Sequence, residues 1–320
     1  MSVVVFCLMG PTAIGKTDIA CQLSEVFPFE LISIDSSLVY QELNIGAAKP
    51  SADVLASYPH HLINICDLNQ IYTVADCCRA LESICEDIAQ RQRIPLLVGG
   101  SMMYFHAFQH GLAKLPDADQ SLRQILVQEW RTSGALKLHQ DLQAFDPQSA
   151  ARIHPNDTQR LLRAHEIYRT SGVTWSEYLR QAGQQQRFKM INLAMMPEPR
   201  TWLHDRIAER FKHMLAQGLV DEVSRIAKTY PAKLDHPALR SVGYRQVLQH
   251  LSGAYDVDTC LQQGIIATRQ LAKRQMTWIR GMPMHQIFLQ PNQHILQEMI
   301  AEIQEILDNE ALFSSIMSEK

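Results

Sequence analysis

The sequence predicts an α/β fold: a parallel sheet flanked by helices and interrupted by an all-helical insertion. Three observations predict it. Short apolar runs at residues 3–9, 31–35 and 95–98 alternate with longer helical patterns at 15–26 and 74–92. Such alternation is the signature of βα units, whose strands are buried on both faces and therefore apolar throughout. Between about 116 and 186 the periodicity is helical only, broken at Asp146-Pro147, His154-Pro155 and Ser171-Gly172. Residues 188–196 then read as strand again, so the helical stretch is set into the α/β core rather than appended to it. Core residues 1–115, a helical insertion 116–186, and a completing segment 187–320 are the expected organisation.

The first strand is followed at once by Gly10-Pro11-Thr12-Ala13-Ile14-Gly15-Lys16-Thr17, which fits G-x-x-x-x-G-K-[ST]. The context is strand, loop, helix, as this phosphate-binding loop requires. Glycines let the backbone wrap so that several N–H groups aim at one anion, and the following helix adds its positive end. Lys16 places a point charge on phosphate oxygens, and the Thr17 hydroxyl can ligate Mg²⁺. The core is therefore expected to resemble the P-loop nucleotide-binding folds. The loop defines a phosphate site and leaves the reaction open, ATP-binding included.

The second strand ends in Asp35, followed by Ser36, Ser37 and Leu38. Ligands of open α/β sheets bind at the carboxyl ends of strands, so Asp35 should face the loop as an acceptor or base. Capping of the next turn is an equally good reading of the same residue. His60-His61 with Asp67 could suggest a metal cluster, but adjacent histidines on a strand point to opposite faces. Hydrogen-bonding structural roles suit them better. The strand at 95–98 ends in Gly99-Gly100-Ser101 and lacks the terminal acid that ATPases use to hold Mg²⁺.

Helices are expected at about 200–216, 238–251 and 257–280, with a late strand near 284–289. In the last helix Arg269, Lys273 and Arg280 fall within about 40° of one another, and Leu271, Ala272, Trp278 and Ile279 on the other side. Arg160 and Arg163 stand three apart on another helix. Residues 152–190 and 240–280 each carry a net charge of +4, whereas 291–320 carry −5 and the whole chain −3. Two basic zones suit a polyanion, and they also suit an ordinary solvated surface. Seven cysteines without a Cys-x-x-Cys pair argue against a zinc site and a disulfide framework. No apolar run reaches the ~20 residues a membrane helix needs, and the N-terminal run lacks a basic leader. A cytoplasmic protein with no membrane partner is expected.

The loop Gly10 to Thr17, Leu31-Ile32-Ser33-Ile34-Asp35-Ser36, Asn44-Ile45-Gly46-Ala47-Ala48-Lys49-Pro50 and Pro59-His60-His61-Leu62 occur in an order and spacing that resemble the tRNA dimethylallyltransferase (tRNA isopentenyltransferase, IPP transferase) family. The likeness continues through Pro95-Leu96-Leu97-Val98-Gly99-Gly100-Ser101, His154-Pro155-Asn156-Asp157, Gln159-Arg160, Arg240-Ser241-Val242-Gly243-Tyr244-Arg245 and Thr268-Arg269-Gln270-Leu271-Ala272-Lys273-Arg274-Gln275, covering roughly residues 3 to 282. The resemblance implies transfer of a dimethylallyl group from dimethylallyl diphosphate to N6 of an adenosine beside the anticodon of tRNA. It implies Asp35 as general base, Lys16 and the loop on the diphosphate, Arg123 reaching that group from the insertion, and Ser101 near the amine or leaving oxygen. It also implies RNA contacts by Asp35, Ser36, Ser37, Leu38, Ser101 and Arg123, by Gln159, Arg160, Leu161, Leu162 and Arg163, by Arg240, Ser241, Val242, Gly243, Tyr244 and Arg245, and by Lys273, Arg274 and Arg280. Mg²⁺ is the implied cofactor, the anticodon stem-loop the implied partner, and a monomer the expected state. Two positions depart from the family: Ile14 replaces a small residue, which alters loop packing, and Ser101 replaces a threonine, losing the methyl that stiffens χ1.

Other reaction classes stay open on the residues alone. A P-loop kinase would need an acceptor hydroxyl and ATP turnover. An enzyme prenylating free adenine nucleotides would not need the basic helices. A non-catalytic RNA-binding protein would keep the basic zones and have no use for Asp35 as a base.

Overall fold

The computed structural model describes residues 3–113, 115–117, 119–181 and 188–318; the connector Gly183-Gln184-Gln185-Gln186 lies outside them. The elements run β1 (Val3–Met9), α1 (Lys16–Val26), β2 (Phe29–Ile34), α2 (Ala52–Ser57), β3 (His60–His61), α3 (Val74–Gln90), β4 (Ile94–Gly99) and α4 (Met102–His110). They continue with α5 (Gln120–Phe145), α6 (Pro147–Arg152), α7 (Thr158–Ser171), α8 (Trp175–Gln181), β5 (Phe188–Pro197), α9 (Arg200–Ala216), α10 (Leu219–Thr229), α11 (Tyr244–Leu251), α12 (Val257–Arg280), β6 (Gln286–Gln290) and α13 (Ile295–Ser318). Two compact units result: Met1–Phe105 with Gln186–Lys320, and His106–Gln185.

In the first unit six strands pair in parallel in the order β3-β2-β4-β1-β5-β6. The central strands are apolar runs because both their faces are buried: Val5 through Met9, Leu31 through Ile34 and Leu96 through Val98 all lie in the interior. Register brings three strand ends level. Met9 pairs with Gly99 on one side and Ala194 on the other, and Ile34 pairs with Gly99. The chain therefore leaves β1, β2 and β4 at a common edge, at Gly10, Asp35 and Gly100. Helix α3 starts on a capping box in which Thr73 and Asp76 satisfy each other's backbone amides.

Away from that edge, one buried carboxylate organises the turn after β2. Glu222 of α10 is 2% exposed. It accepts the amides of Asn44 (3.4 Å), Ile45 (2.8 Å) and Gly46 (3.2 Å) and the Tyr244 hydroxyl (2.7 Å). Lys49 closes the same segment by donating to the Tyr40 carbonyl at 2.8 Å and to Asn64 Oδ1 at 2.6 Å. Burial lowers the Lys49 ammonium to about 8, with Glu222 and Glu42 opposing the shift. His60 and His61 take hydrogen-bonding positions on β3. His60 Nδ1 bonds the Tyr58 carbonyl at 2.6 Å, and His61 joins Arg91 and Arg93 on Glu30.

The second unit is helical. Leu142, Ala150, Ile153, Leu161 and Ala164 form one core cluster, and Leu126, Leu138 and Leu162 another. Helix α5 breaks direction at Gly134, where φ is 81°. Glu166, 1% exposed, is flanked by Arg163 at 2.9 Å and Arg123 at 3.9 Å. No helix among the described residues is long and apolar enough to cross a membrane.

The Glu222 knot is testable. Tyr244→Phe leaves a buried carboxylate one donor short, which costs about 1–3 kcal/mol. A methyl on Gly46 would come within 2.6 Å of the Tyr244 ring, so Gly46→Ala overpacks the same point at a cost of about 1–3 kcal/mol. Both variants should lower the urea midpoint without changing the slope of the transition.

Candidate active site

The level strand ends open a cleft of about 480 Å³ whose lining includes Thr12, Lys16, Thr17, Asp35, Gly100 and Arg210. The glycine loop is built as its sequence requires. Gly15 has a φ of 101°, a left-handed backbone that glycine takes without strain, and Ile14 turns inward to 1% exposure, packed into the core. The family's small residue is thus replaced by one that anchors the loop from below.

Three side chains hold the loop, one of its own and two from distant helices. Lys16 Nζ donates to the Pro11 carbonyl at 2.9 Å, Gln275 Oε1 accepts from the Thr12 amide at 2.8 Å, and Arg206 Nε donates to the Ala13 carbonyl at 2.9 Å. Arg206 also lies over the Trp202 ring at 5.0 Å. Asp35 lines the cleft as well, and Ser101 follows the lining residue Gly100. Asp35 Oδ1 accepts the amides of Ser37 at 2.8 Å and Leu38 at 3.3 Å, so the residue caps the following turn and lines the cleft as well. The capping reading is realised, and the cap fixes the orientation of a carboxylate that also lines the cleft. Ser101 Oγ accepts from the Ser36 amide at 3.3 Å, which leaves its proton to be donated elsewhere.

Charge is the distinctive property of this cleft. Burial, aided by Arg210 and opposed by Asp35, lowers the Lys16 ammonium to about 7. Burial also pushes Arg210 down, while Asp35 pulls it up and Arg206 pushes it down. The cleft lining thus gathers three cations, Lys16, Arg206 and Arg210, with three carboxylates, Asp18, Asp35 and Glu209, and Arg210 disfavours the charge of Lys16. A smaller recess of about 100 Å³ shares Thr12, Asp35, Ala47 and Arg210 with the cleft and is otherwise walled mainly by Ile207, Phe211, Met214, Val242 and Leu271.

Several expected contact residues take other positions. Leu161 and Leu162 are core side chains of the second unit, and Tyr244 is fully buried on Glu222; none presents a side chain to a surface. Arg163 does not parallel Arg160. It turns inward to Glu166 and the Pro116 carbonyl at 2.7 Å, whereas Arg160 is exposed beside Asp157. Arg123 lies on α5 in the second unit, its side chain 42% exposed. On α12, Lys273 and Arg280 are exposed as the helical wheel requires, and Arg274, which falls off that face, is exposed too. Arg269 is instead half-buried toward α9, donating to the His204 carbonyl at 3.4 Å, and Trp278 is 38% exposed rather than in the core. Gln159, Ser36, Arg240 and Arg245 are exposed, while Ser37, Leu38, Ser241 and Val242 are half-buried. Sequence reasoning missed Arg206, Arg210 and Gln275. The positively charged stripe of α9, in the run Arg206, Arg210, was the one available signal.

The chain is similar to known proteins in sequence and fold. The model of the family described as IPP transferase matches residues 38–282. The tRNA dimethylallyltransferase of Legionella pneumophila (strain Philadelphia 1) is 49% identical over 309 residues, spanning 97% of this chain and 99% of its own. Among solved structures, the tRNA isopentenylpyrophosphate transferase of Bacillus halodurans aligns with a TM-score of 0.70 at 29% identity, over 99% of both chains. A eukaryotic dimethylallyltransferase acting on tRNA aligns with a TM-score of 0.79 at 25% identity, over 96% of this chain and 80% of its own.

The Lys16 shift predicts a pH dependence with a definite sign. An anion needs the ammonium form, which is complete below pH 7 and lost as pH rises through it. Inorganic diphosphate should bind with full affinity at pH 6 and weaken above pH 7, by up to about tenfold per unit. Calorimetric titrations between pH 6 and 9 check this. Lys16→Met should bind weakly at every pH and show only the ligand's own titration.

Proposed function

The chain belongs to the IPP transferase family, and on that premise we propose that it is a tRNA dimethylallyltransferase, moving a dimethylallyl group from dimethylallyl diphosphate to N6 of an adenosine next to the anticodon. The observation that carries this reading is the meeting of Lys16, Asp35, Gly100 and Arg210 in one cleft at the strand ends. The exocyclic amine of adenine is a poor nucleophile because its lone pair is delocalised into the ring. Asp35 takes its proton as the nitrogen–carbon bond forms. The Oδ1 hydrogen bonds to the Ser37 and Leu38 amides support this role by holding the carboxylate in one orientation. The departing diphosphate develops charge, which Lys16, Arg210 and the loop amides neutralise. The Ser101 hydroxyl hydrogen-bonds the amine or the leaving oxygen without giving up its proton.

The small recess beside Asp35 and Arg210 has an apolar wall of Ile207, Phe211, Met214, Val242 and Leu271 and room for a few carbons, which suits the allyl tail. A stacked adenine cannot enter such a cleft, so the base must leave its loop. The donor set also fits Mg²⁺: Thr17 lines the cleft, and magnesium is commonly held by one or two protein oxygens together with substrate phosphates and water. When bound, the ion would add positive charge to the diphosphate oxygens. RNA phosphates are taken by the exposed cations Arg160, Arg240, Arg245, Lys273, Arg274 and Arg280. Arg123 contributes from the second unit. The enzyme works as a monomer in the cytoplasm, a reading that the seven free cysteines support.

The test mixes the protein, Mg²⁺, dimethylallyl diphosphate and unmodified tRNA, and weighs the digested nucleosides. A dimethylallyl adenosine should appear. Asp35→Asn should lower its formation by about 10²–10⁴-fold while tRNA affinity stays nearly unchanged. Product on free AMP alone, or phosphate transfer from ATP, would overturn the tRNA reading.

A further inference from the structure

Helix α12 carries two kinds of residue within one turn. Lys273 and Arg274 are exposed, whereas Gln275 is 8% exposed. At 100° per residue Gln275 stands about 160° from Lys273, on the inner face. Its carboxamide is used at both ends. Oε1 accepts from the Thr12 amide at 2.8 Å, and Nε2 donates to the Gly100 carbonyl at 2.9 Å. Thr12 follows β1 and Gly100 follows β4, so one side chain bridges the phosphate loop and the turn that leads to Ser101. The fit has no slack: a methyl on Gly100 would come within 2.4 Å of Gln275 Nε2.

We propose that Gln275 is a positioning residue that sets the phosphate loop from α12, so that polynucleotide bound on the outer face of this helix strengthens diphosphate binding inside. The inference rests on the tRNA reading above and adds to it the part that links donor site to acceptor site. This amide, 8% exposed where it lines the cleft, cannot move without breaking both hydrogen bonds. Any displacement of α12 must therefore carry Thr12 and Gly100 along or break both bonds. RNA phosphates gripping Lys273, Arg274 and Arg280 favour one seating of the helix, and that seating is the one in which the Thr12 amide and the Gly100 carbonyl are held. Coupling of this kind is reciprocal: diphosphate strengthens RNA binding by the same factor.

Calorimetry of inorganic diphosphate binding to the full-length protein, with and without saturating unmodified tRNA transcript, tests it. RNA affinity is measured separately by filter binding. In the wild type, RNA should tighten diphosphate binding by about fivefold or more, and the reverse titration should return the same factor. Gln275→Leu should bring that factor near one while RNA affinity in the absence of diphosphate changes little. Gly100→Ala, which displaces the Gln275 carboxamide without removing it, should do the same and decides the matter if the leucine variant fails to fold. RNA that binds without changing diphosphate affinity, or a variant that keeps the full factor, overturns the inference and leaves the tRNA reading intact. RNA that does not bind at all overturns that reading itself.

Discussion

Strand β1 lies between β4 and β5 in parallel register, and the geometry of the site follows from that pairing. Met9 is opposite both Gly99 and Ala194, and Ile34 is opposite Gly99. Three strands therefore end at one level, and the residues just beyond them, Gly10, Asp35 and Gly100, face a shared space. A slip of one residue would turn every side chain of β1 to the other face and move the glycine loop relative to Asp35. The apolar character of Val5 through Met9 prevents this only in combination with neighbours, since both faces of the strand are buried. Register is held by the whole sheet, with the catalytic edge as its consequence.

A loop that must wrap an anion cannot be stabilised by a side-chain core of its own, so it is held by distant side chains. Arg206 and Gln275 reach Ala13 and Thr12 from α9 and α12. The turn after β2 is treated the same way, with Glu222 gathering three amides that no regular element would satisfy. Gln275 and Glu222 are buried polar groups whose partners are largely backbone atoms. Such groups are expensive to leave unpaired, which makes the turns specific as well as stable.

This division explains what could be read from the chain alone. The strands, the phosphate loop and the strand-end Asp35 are local patterns, and each lies within a window of about ten residues. The insertion was visible because its periodicity differs from that of its surroundings. Gln275 was not legible as a site residue, because its partner Thr12 is 263 residues away and nothing in a helical pattern marks one glutamine as turned inward. Arg163 misled for a related reason: helical spacing puts it near Arg160, but the buried Glu166 one turn further on draws it inside. Tyr244 stands in a motif whose resemblance implied surface contact, and its burial is decided by Glu222 from another helix. Likewise Trp278 falls on the apolar side of the α12 wheel yet reaches solvent, since a wheel shows angles and not the extent of the neighbour that covers them.

Charge in the cleft is likewise set by side chains from several elements. Arg210 disfavours the charge of Lys16, and Asp35, the carboxylate that acts on both, already gives one oxygen to two amides. Asp18 and Glu209 line the same cleft, so three carboxylates face Lys16, Arg206 and Arg210. In the reaction proposed above, a diphosphate would compete with these carboxylates for the cations. Asp35 would then be left to the amine that must lose a proton, and donor binding would prepare both halves of the displacement at once.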